Sequence, residues 1–369
     1  LRVTKVDGWT FGLDRARKAL HEQLHAASLN GFGMEGHPAA TMAAGALVHY
    51  LQDTQKVNLE HVRSITYRSR ADHVLIDPQT FIHLEIFEGA NGETNPSLLT
   101  EIDRTITPMG GRKLRDCLQR PSNALERVQD RLDAVEELAF RSTERAKLQS
   151  MLKEVHDLER LVARVALGRA GPRDLVALKQ SISMIPHVRA LLSNLQAPLI
   201  RSQLAHLDDV ADIREAIEST LTDDPPALVR EGGFIRDGCD LDLDELRAIS
   251  RNAKQLIAAM ETAERERTGI ANLKVRYNRV FGYYIEISKS KLHAVPDDYH
   301  RKQTIATGER FITPTLKEYE EKALGADDRI LETEQALFEA LRQQVATEAS
   351  RIQDTAAALA WLDVLSALA

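Results

Sequence analysis

The chain has 369 residues, of which 43% are hydrophobic and 28% charged, with a formal net charge of −7. That length exceeds one ordinary core and sets an expectation of two or three domains. Apolar runs broken by charge exclude a membrane-spanning helix. Two cysteines far apart in sequence, Cys117 and Cys239, exclude a disulfide framework and a metal knuckle and point to a reducing, cytoplasmic setting. No signal peptide is visible, and an opening Leu1 is what a chain cut from something longer would show.

Residues 1 to about 76 read as mixed α/β. Leu13, Ala16, Leu20, Leu24 and Leu29 fall on one helical stripe. The segment "NGFGMEGHP" breaks that helix. "AATMAAGALVHYLQDTQ" then predicts a second one, rich in small residues for close packing, and "HVRSITYRS" alternates like a strand. From about 77 to 230 the pattern is almost wholly helical. In "TPMGGRKLRDCLQRP", Thr107 is the expected N-cap, Pro108 the first helical residue and Pro121 the stop. "NALERVQDRLDAVEELAF" and "MLKEVHDLERLVARVAL" keep 3-4 spacing, and "GRAGPRDLVALKQSISMIP" predicts a helix from Pro172 to near Pro186. Short connectors suggest antiparallel neighbours. Residues 223–240 are irregular. A long helix follows over about 241–267, capped by Asp240 or Asp242, with Leu243, Leu246, Ile249, Leu256 and Met260 as its expected buried stripe. At ~1.5 Å per residue it is about 40 Å long.

The period then changes. In "NLKVRYNRVFGYYIEISKSK" Leu273, Val275 and Tyr277 face one way and Lys274, Arg276 and Asn278 the other. Tyr283, Ile285 and Ile287 oppose Tyr284, Glu286 and Ser288, and a short loop with Gly282 joins the two strands. "QTIATGERFIT" predicts two more strands around a Gly308 turn. A second long helix opens at Thr313-Pro314, with Thr315 and Glu318 spaced as a capping box and a stripe through Tyr319, Ala323, Ile330, Leu337, Leu341 and Val345. A β-module is thus inserted between a helix going out and a helix coming back.

That module is chemically distinct. Between Ile270 and Thr313 stand eight Lys/Arg and four Asp/Glu, a balance of +4 that leaves −11 for the rest of the chain, and four of the seven tyrosines are there. A cationic module on an anionic chain suits phosphate-backbone binding; the bland alternative is a solvated sheet edge whose Lys and Arg prevent aggregation. Elsewhere, "HEQLH" places His21 and His25 in the HExxH zinc pattern, but no third ligand stands at a usual spacing, and a helix surface is the expected reading. "REGGFIRDG" follows no strand, and no G-x-x-x-x-G-K-[ST] loop is present. No catalytic constellation has a local signature, so the expectation is no catalytic residue, no metal and no cofactor.

The strings "TPMGGRKLRDCLQRP", "DLERLVARVALGRAGPRDL", "TGIANLKVRYNRVFGYYIEIS" and "QTIATGERFITPTLKEYEEK" resemble signatures of the MutS family of DNA mismatch-repair proteins. "NGFGMEG…AAGALVHYLQDTQ" resembles the end of that family's connector domain. The resemblance runs through essentially the whole chain in the right order. It implies a mainly α fold with a small inserted antiparallel β-module: residues 1–76 as the C-terminal part of an RNase H-like α/β connector, 77–253 and 314–369 as a helical core with two lever helices, and 254–313 as a β clamp on the DNA backbone. It also implies that the mismatch-reading domain and the ATPase domain, with its ATP and Mg²⁺, lie outside this chain, which agrees with the missing Walker motif. Family members often carry Trp where Cys117 stands, and some carry Lys-Asn where this chain has Ala306-Thr307.

The expected function is non-specific grip on duplex DNA through phosphates, by Arg276, Asn278, Arg279, Arg301, Lys302 and Thr307, with the long helices as rods relaying motion. The resemblance implies duplex DNA, a second protomer and a MutL-type protein as partners, in a bacterial cytoplasm at the nucleoid. The rivals are a coiled-coil or hinge scaffold, a nuclease on the RNase H-like segment, a zinc hydrolase using His21 and His25, and a relative acting in recombination. A clamp-less paralogue is opposed by the β-module.

Overall fold

In the computed structural model the chain is mainly helical, and among the described residues there is one antiparallel sheet, of four strands. All residues are described except 1–3, 25, 27–28, 30–31, 33, 35, 56–61, 63–64, 66, 68–71, 90–95 and 279–281. The described helices are α1 (Leu13–Leu24), α2 (Pro38–Gln55), α3 (Pro78–His83), α4 (Leu98–Ile102), α5 (Pro108–Gln119), α6 (Leu125–Phe140), α7 (Ser142–Leu152), α8 (Leu158–Ala166), α9 (Pro172–Ser183), α10 (Ile185–Leu192), α11 (Pro198–His206), α12 (Ala211–Thr220), α13 (Leu241–Thr268), α14 (Pro314–Thr347) and α15 (Ala349–Leu368). The chain divides into two compact units, Leu1–Ile217 with Arg342–Ala369, and Glu218–Leu341.

In the first unit α15 is the central element. Small and apolar residues occur all round it, and Ala356, Ala358, Leu359, Leu362 and Leu365 are buried among α5, α6, α8 and α11. A helix apolar on every side belongs inside. Its one buried acid, Asp363, ties α15 to the start of α5. The carboxylate accepts from the Ile106 N–H (2.9 Å), the Thr107 N–H (2.7 Å) and the Thr107 hydroxyl (2.7 Å). The Thr107 hydroxyl in turn accepts from the Gly110 N–H at 3.0 Å, which makes it the expected N-cap of α5. Burial pushes the Asp363 carboxyl up from its ordinary value against the pull of these donors. Leu20, Leu24, Leu29, Met34 and Val48 form a second core between α1 and α2.

The periodicity misplaced some breaks. The expected continuous helix over 151–167 is two helices. Asp157 accepts from the Arg160 N–H and starts α8 afresh, while Arg112 holds the same carboxylate at 2.7 and 2.8 Å. The helix expected from Pro172 to near Pro186 is α9, which ends at Ser183; Pro186 itself lies in the first turn of the next helix, α10, where a missing N–H costs nothing. The strand expected over 61–69 falls largely outside the described residues.

Between α14 and α15 the chain bends at Glu348. Arg351 binds Asp208 at 2.8 and 3.0 Å, Asp212 at 3.0 Å and Glu348 at 3.1 Å. Nearby Val210 is fully buried with φ +41, a strained conformation for a β-branched residue, and the Thr355 hydroxyl accepts from the Asp208 N–H at 3.0 Å.

The second unit contains α13 and α14 running antiparallel, since Arg247 meets Glu334 and Ser250 meets Asp327. The buried stripe of α13 is Leu243, Leu246, Ser250, Ala253, Ile257 and Met260. Ile249 and Leu256, expected in it, are 42% and 47% exposed. The spacing that wins is an unbroken 3-4 alternation, and it admits Ser250 because Asp327 takes its hydroxyl at 2.6 Å. At the start of α14 the cap is Thr313, not Thr315: its hydroxyl accepts from the Leu316 N–H at 3.1 Å.

Two contacts of the first unit can be probed by substitution. Asp363→Ala orphans three donors, the two on Thr107 buried, and should cost roughly 3 kcal/mol in a urea melt, with Asp363→Asn, which keeps one acceptor, costing about half of that. The Arg351 guanidinium holds the Asp208 and Asp212 carboxyls below the usual carboxylate range. Their contribution is therefore full above that range and lost as pH falls through the depressed values. The acid limb of a stability–pH profile should be shallower in Arg351→Met.

Candidate nucleic-acid interface

The sheet comprises β1 (Lys274–Asn278), β2 (Gly282–Ser288), β3 (His300–Thr304) and β4 (Gly308–Ile312), in the order β1-β2-β4-β3. The hairpin register pairs Val275 with Ile285, Arg276 with Tyr284 and Asn278 with Gly282. Ile285 then pairs with Phe311, and Glu286 with Arg310. The period of two therefore sorts the faces as the alternation required. Ile285, Ile287 and Phe311 share one core with Ala253, Ile257 and Met260 of α13 and Leu316 and Ala323 of α14. The opposite face carries Lys274, Arg276, Tyr284, Glu286 and Arg310.

Tyr284 was not expected to be buried, yet it is 5% exposed on the polar face. The Arg310 guanidinium lies 4.4 Å from its ring centroid and helps to cover it. Arg310 is consumed internally: it also donates to Gln303 at 2.8 Å and faces Glu286 at 3.8 Å. Arg301 is exposed and lies 3.4 Å from Glu309, a contact too open to hold it firmly. Asp298 is taken by Arg267 of α13 at 3.0 Å. The buried Tyr299 hydroxyl donates to Glu264 at 2.8 Å, and burial followed by that carboxylate pushes its pKa up. Lys274, Arg276, Lys289, Lys291 and Lys302 are exposed, and no side-chain partner for them is found among the described residues. Most of the sheet's anions are thus engaged locally, while most of its cations face water.

Of the six candidate residues, Arg276 stands on the edge strand β1 and Asn278 at its end, paired with Gly282. Arg279 lies outside the described residues. Arg301 and Lys302 stand on the opposite edge, β3, where the register shifts between Arg301 and Gln303. Thr307 is exposed in the β3–β4 turn, and its carbonyl accepts from the Lys289 N–H at 3.3 Å. The structure does not gather them at one point. Three inter-strand steps of ~4.8 Å separate the edges, about 14 Å, and the length of β2 separates the two turns, about 20 Å. Such a spread suits several phosphates along a backbone and not one small anion. Lys274, Lys289 and Lys291 counted toward the module's charge but were not chosen as contacts. The backbone bond from Lys289 to Thr307 sets that lysine beside the β3–β4 turn, a proximity no local spacing reveals.

His21 Nδ1 lies 2.6 Å from the Ala26 carbonyl, and His25 lies outside the described residues. Among the described residues no three His, Cys, Asp or Glu side chains are placed to hold a metal ion, and no helix is long and apolar enough to cross a membrane. Cys117 is half-buried. Burial raises its thiol pKa, against Arg131 and Lys113, whose cations lie 4.9 and 4.3 Å from the Trp361 ring.

The sequence profile described as MutS domain III matches residues 79–369, and that of MutS domain II matches residues 1–63. The chain is 45% identical over 372 residues to the DNA mismatch repair protein MutS of Solibacter usitatus, covering 99% of this chain and 43% of that protein. It is also 45% identical over 370 residues to that of Symbiobacterium thermophilum, covering 100% and 42%, and 43% identical over 368 residues to that of Salinibacter ruber, covering 100% and 40%. The chain spans less than half the length of these curated relatives.

Gly308 is a direct probe of the sheet. A Cβ there would collide with the Ile287 carbonyl, which the β2–β4 ladder prevents from moving. Gly308→Ala should cost about 2–3 kcal/mol, read as a lower denaturation midpoint and as faster amide exchange at Ile287 and Glu309.

Proposed function

The chain belongs to the MutS family of DNA mismatch-repair proteins, and we propose that it forms the part of such a protein that grips duplex DNA through its phosphates and relays conformational change along two rods. The observation that carries this reading is a set of exposed cations with no side-chain partner among the described residues: Lys274, Arg276 and Lys302 on the strands, and Lys289 and Lys291 in the short 3-10 turn that follows β2. Unpaired lysine and arginine give up no internal contact when they meet a phosphate, and the counterions released from DNA supply the driving force. Backbone contacts of this kind position a protein on DNA without reading sequence.

In this reading residues 254–313 are the clamp, 77–253 and 314–369 the helical core with its levers, and 1–76 the C-terminal part of an RNase H-like connector. The rods are α13 and α14. Arg247–Glu334, Ser250–Asp327 and Lys254–Asp327 join them side by side, so the pair is suited to move as one body. The motion would be driven by ATP and Mg²⁺ in a part of the protein beyond this chain, so the chain itself is not assigned catalysis. A second protomer would close the grip on the other side of the duplex, and a MutL-type protein would read the resulting state, in the cytoplasm at the nucleoid. The relatives are named for mismatch repair, which favours repair over recombination.

The test is a salt titration of homoduplex binding. If three or four phosphates are engaged, log affinity should fall against log salt with a slope of roughly −3. Arg276→Glu with Lys302→Glu should weaken binding at low salt and reduce the slope by about two. Affinity and slope unchanged in the double variant would overturn the reading.

A further inference from the structure

An acidic side chain at the working end of a cationic sheet requires an explanation. Glu320, on the second turn of α14, places Oε1 2.7 Å from the Tyr283 N–H. Tyr283 stands beside the β1–β2 turn, next to the Asn278–Gly282 pair that closes the hairpin. The reason the carboxylate fits there lies in the sheet register. The β2–β4 ladder begins at Ile285, so β2 runs on toward the turn with no strand along that flank. Beyond Ile312 the chain leaves β4, enters α14 at Pro314, and returns one acceptor to the stretch that β4 has left.

The other flank of the hairpin is treated the same way. β1 is an edge strand, and Glu261 of α13 accepts from its Val275 N–H at 2.8 Å while Arg265 Nε donates to the Leu273 carbonyl at 2.7 Å. Glu261 and Arg265 are themselves paired at 2.5 Å. Acceptor and donor alternate as a neighbouring strand would present them, and the edge is blunted against pairing with another chain. Gly282 completes the arrangement. Its φ is +76, and a Cβ on it would occupy the space of the Glu320 carboxylate.

We infer that Glu320 is a positioning residue for DNA binding: its carboxylate fixes the turn end of the β1–β2 hairpin to α14, so the register and reach of Arg276 and Asn278 depend on an anion that itself repels phosphate. Hydrogen bonds from a backbone N–H to an ionised carboxylate are about twice as strong as neutral ones, and the bond anchors the hairpin where its ladder is incomplete. This inference rests on the DNA-clamp reading above. It differs from a purely electrostatic role in sign. If Glu320 acted only as a charge, every neutral replacement would tighten DNA binding by a similar amount. If it positions the hairpin, replacements must divide according to whether they can still accept the Tyr283 N–H.

The experiment compares the 369-residue chain with Glu320→Gln, Glu320→Ala and Gly282→Ala, using a fluorescently labelled homoduplex between roughly 50 and 200 mM salt. Amide exchange at Tyr283 is measured on each variant without DNA. Glu320→Gln keeps a carbonyl acceptor, so its Tyr283 amide should stay protected and its affinity should equal or slightly exceed that of the starting chain. Glu320→Ala removes the same charge and the acceptor together. Its Tyr283 amide should exchange freely and its affinity should drop by about tenfold. Gly282→Ala keeps the charge but evicts it, and should behave like Glu320→Ala. Alanine binding as tightly as glutamine would overturn the inference and leave the DNA-clamp reading standing. So would an unchanged Tyr283 amide in Glu320→Ala. A starting chain with no salt-dependent binding would overturn the DNA-clamp reading instead, and the exchange data would still decide whether Glu320 anchors the hairpin.

Discussion

The structure of the second unit depends on one repeated interaction, a helix-borne carboxylate consumed by a donor inside the protein. Glu334 of α14 is fully buried and accepts from the Gly233 N–H at 2.7 Å and from Arg247 at 2.7 Å. Asp327 takes the Ser250 hydroxyl, Glu264 the Tyr299 hydroxyl, Glu261 the Val275 N–H and Glu320 the Tyr283 N–H. Each bond fastens one segment to another. Together they also commit negative charge to internal donors, and a carboxylate so engaged is costly to remove because its donor would be left bare. Most cations of the β-module, Arg310 excepted, are left facing solvent and any polyanion that arrives.

This division of labour would let a protein with net charge −7 present the phosphate-binding surface proposed above. Net charge governs solubility and long-range approach. Contact is governed by which charges are already engaged, and only a structure supplies that. Arg310 and Arg276 have the same chemistry and share one face of the sheet. Arg310 is stacked on Tyr284 and bonded to Gln303, whereas Arg276 has no side-chain partner among the described residues.

Much of the fold was legible because its signals are local. Thr107-Pro108 marked the start of α5, Asp240 or Asp242 that of α13, where Asp240 is the cap that forms, and the change from a 3-4 spacing to strict alternation after Leu273 marked the sheet. What was not legible depended on neighbours distant in sequence. Ser250 belongs to the buried stripe of α13 because Asp327 supplies a partner 77 residues later. Asp157 breaks a regular helical pattern because Arg112 and the Arg160 N–H converge on it. Thr313 outcompetes Thr315 as cap because the strand ends one residue before it. Within the candidate interface, composition identified the cationic module and most of its exposed residues. It could not separate Arg310 from Arg276, or place Lys289 beside Thr307.

The most direct test of the central claim is amine labelling of the lysines with and without duplex DNA, read residue by residue. Lys274, Lys289, Lys291 and Lys302 should label readily in the free protein, as unpaired amines do, and lose reactivity when homoduplex is added at low salt. The equally exposed Lys147 and Lys153 of the first unit should not change. Protection confined to Lys147 and Lys153, or no protection at the four lysines of the β-module under conditions where DNA is bound, would contradict the account.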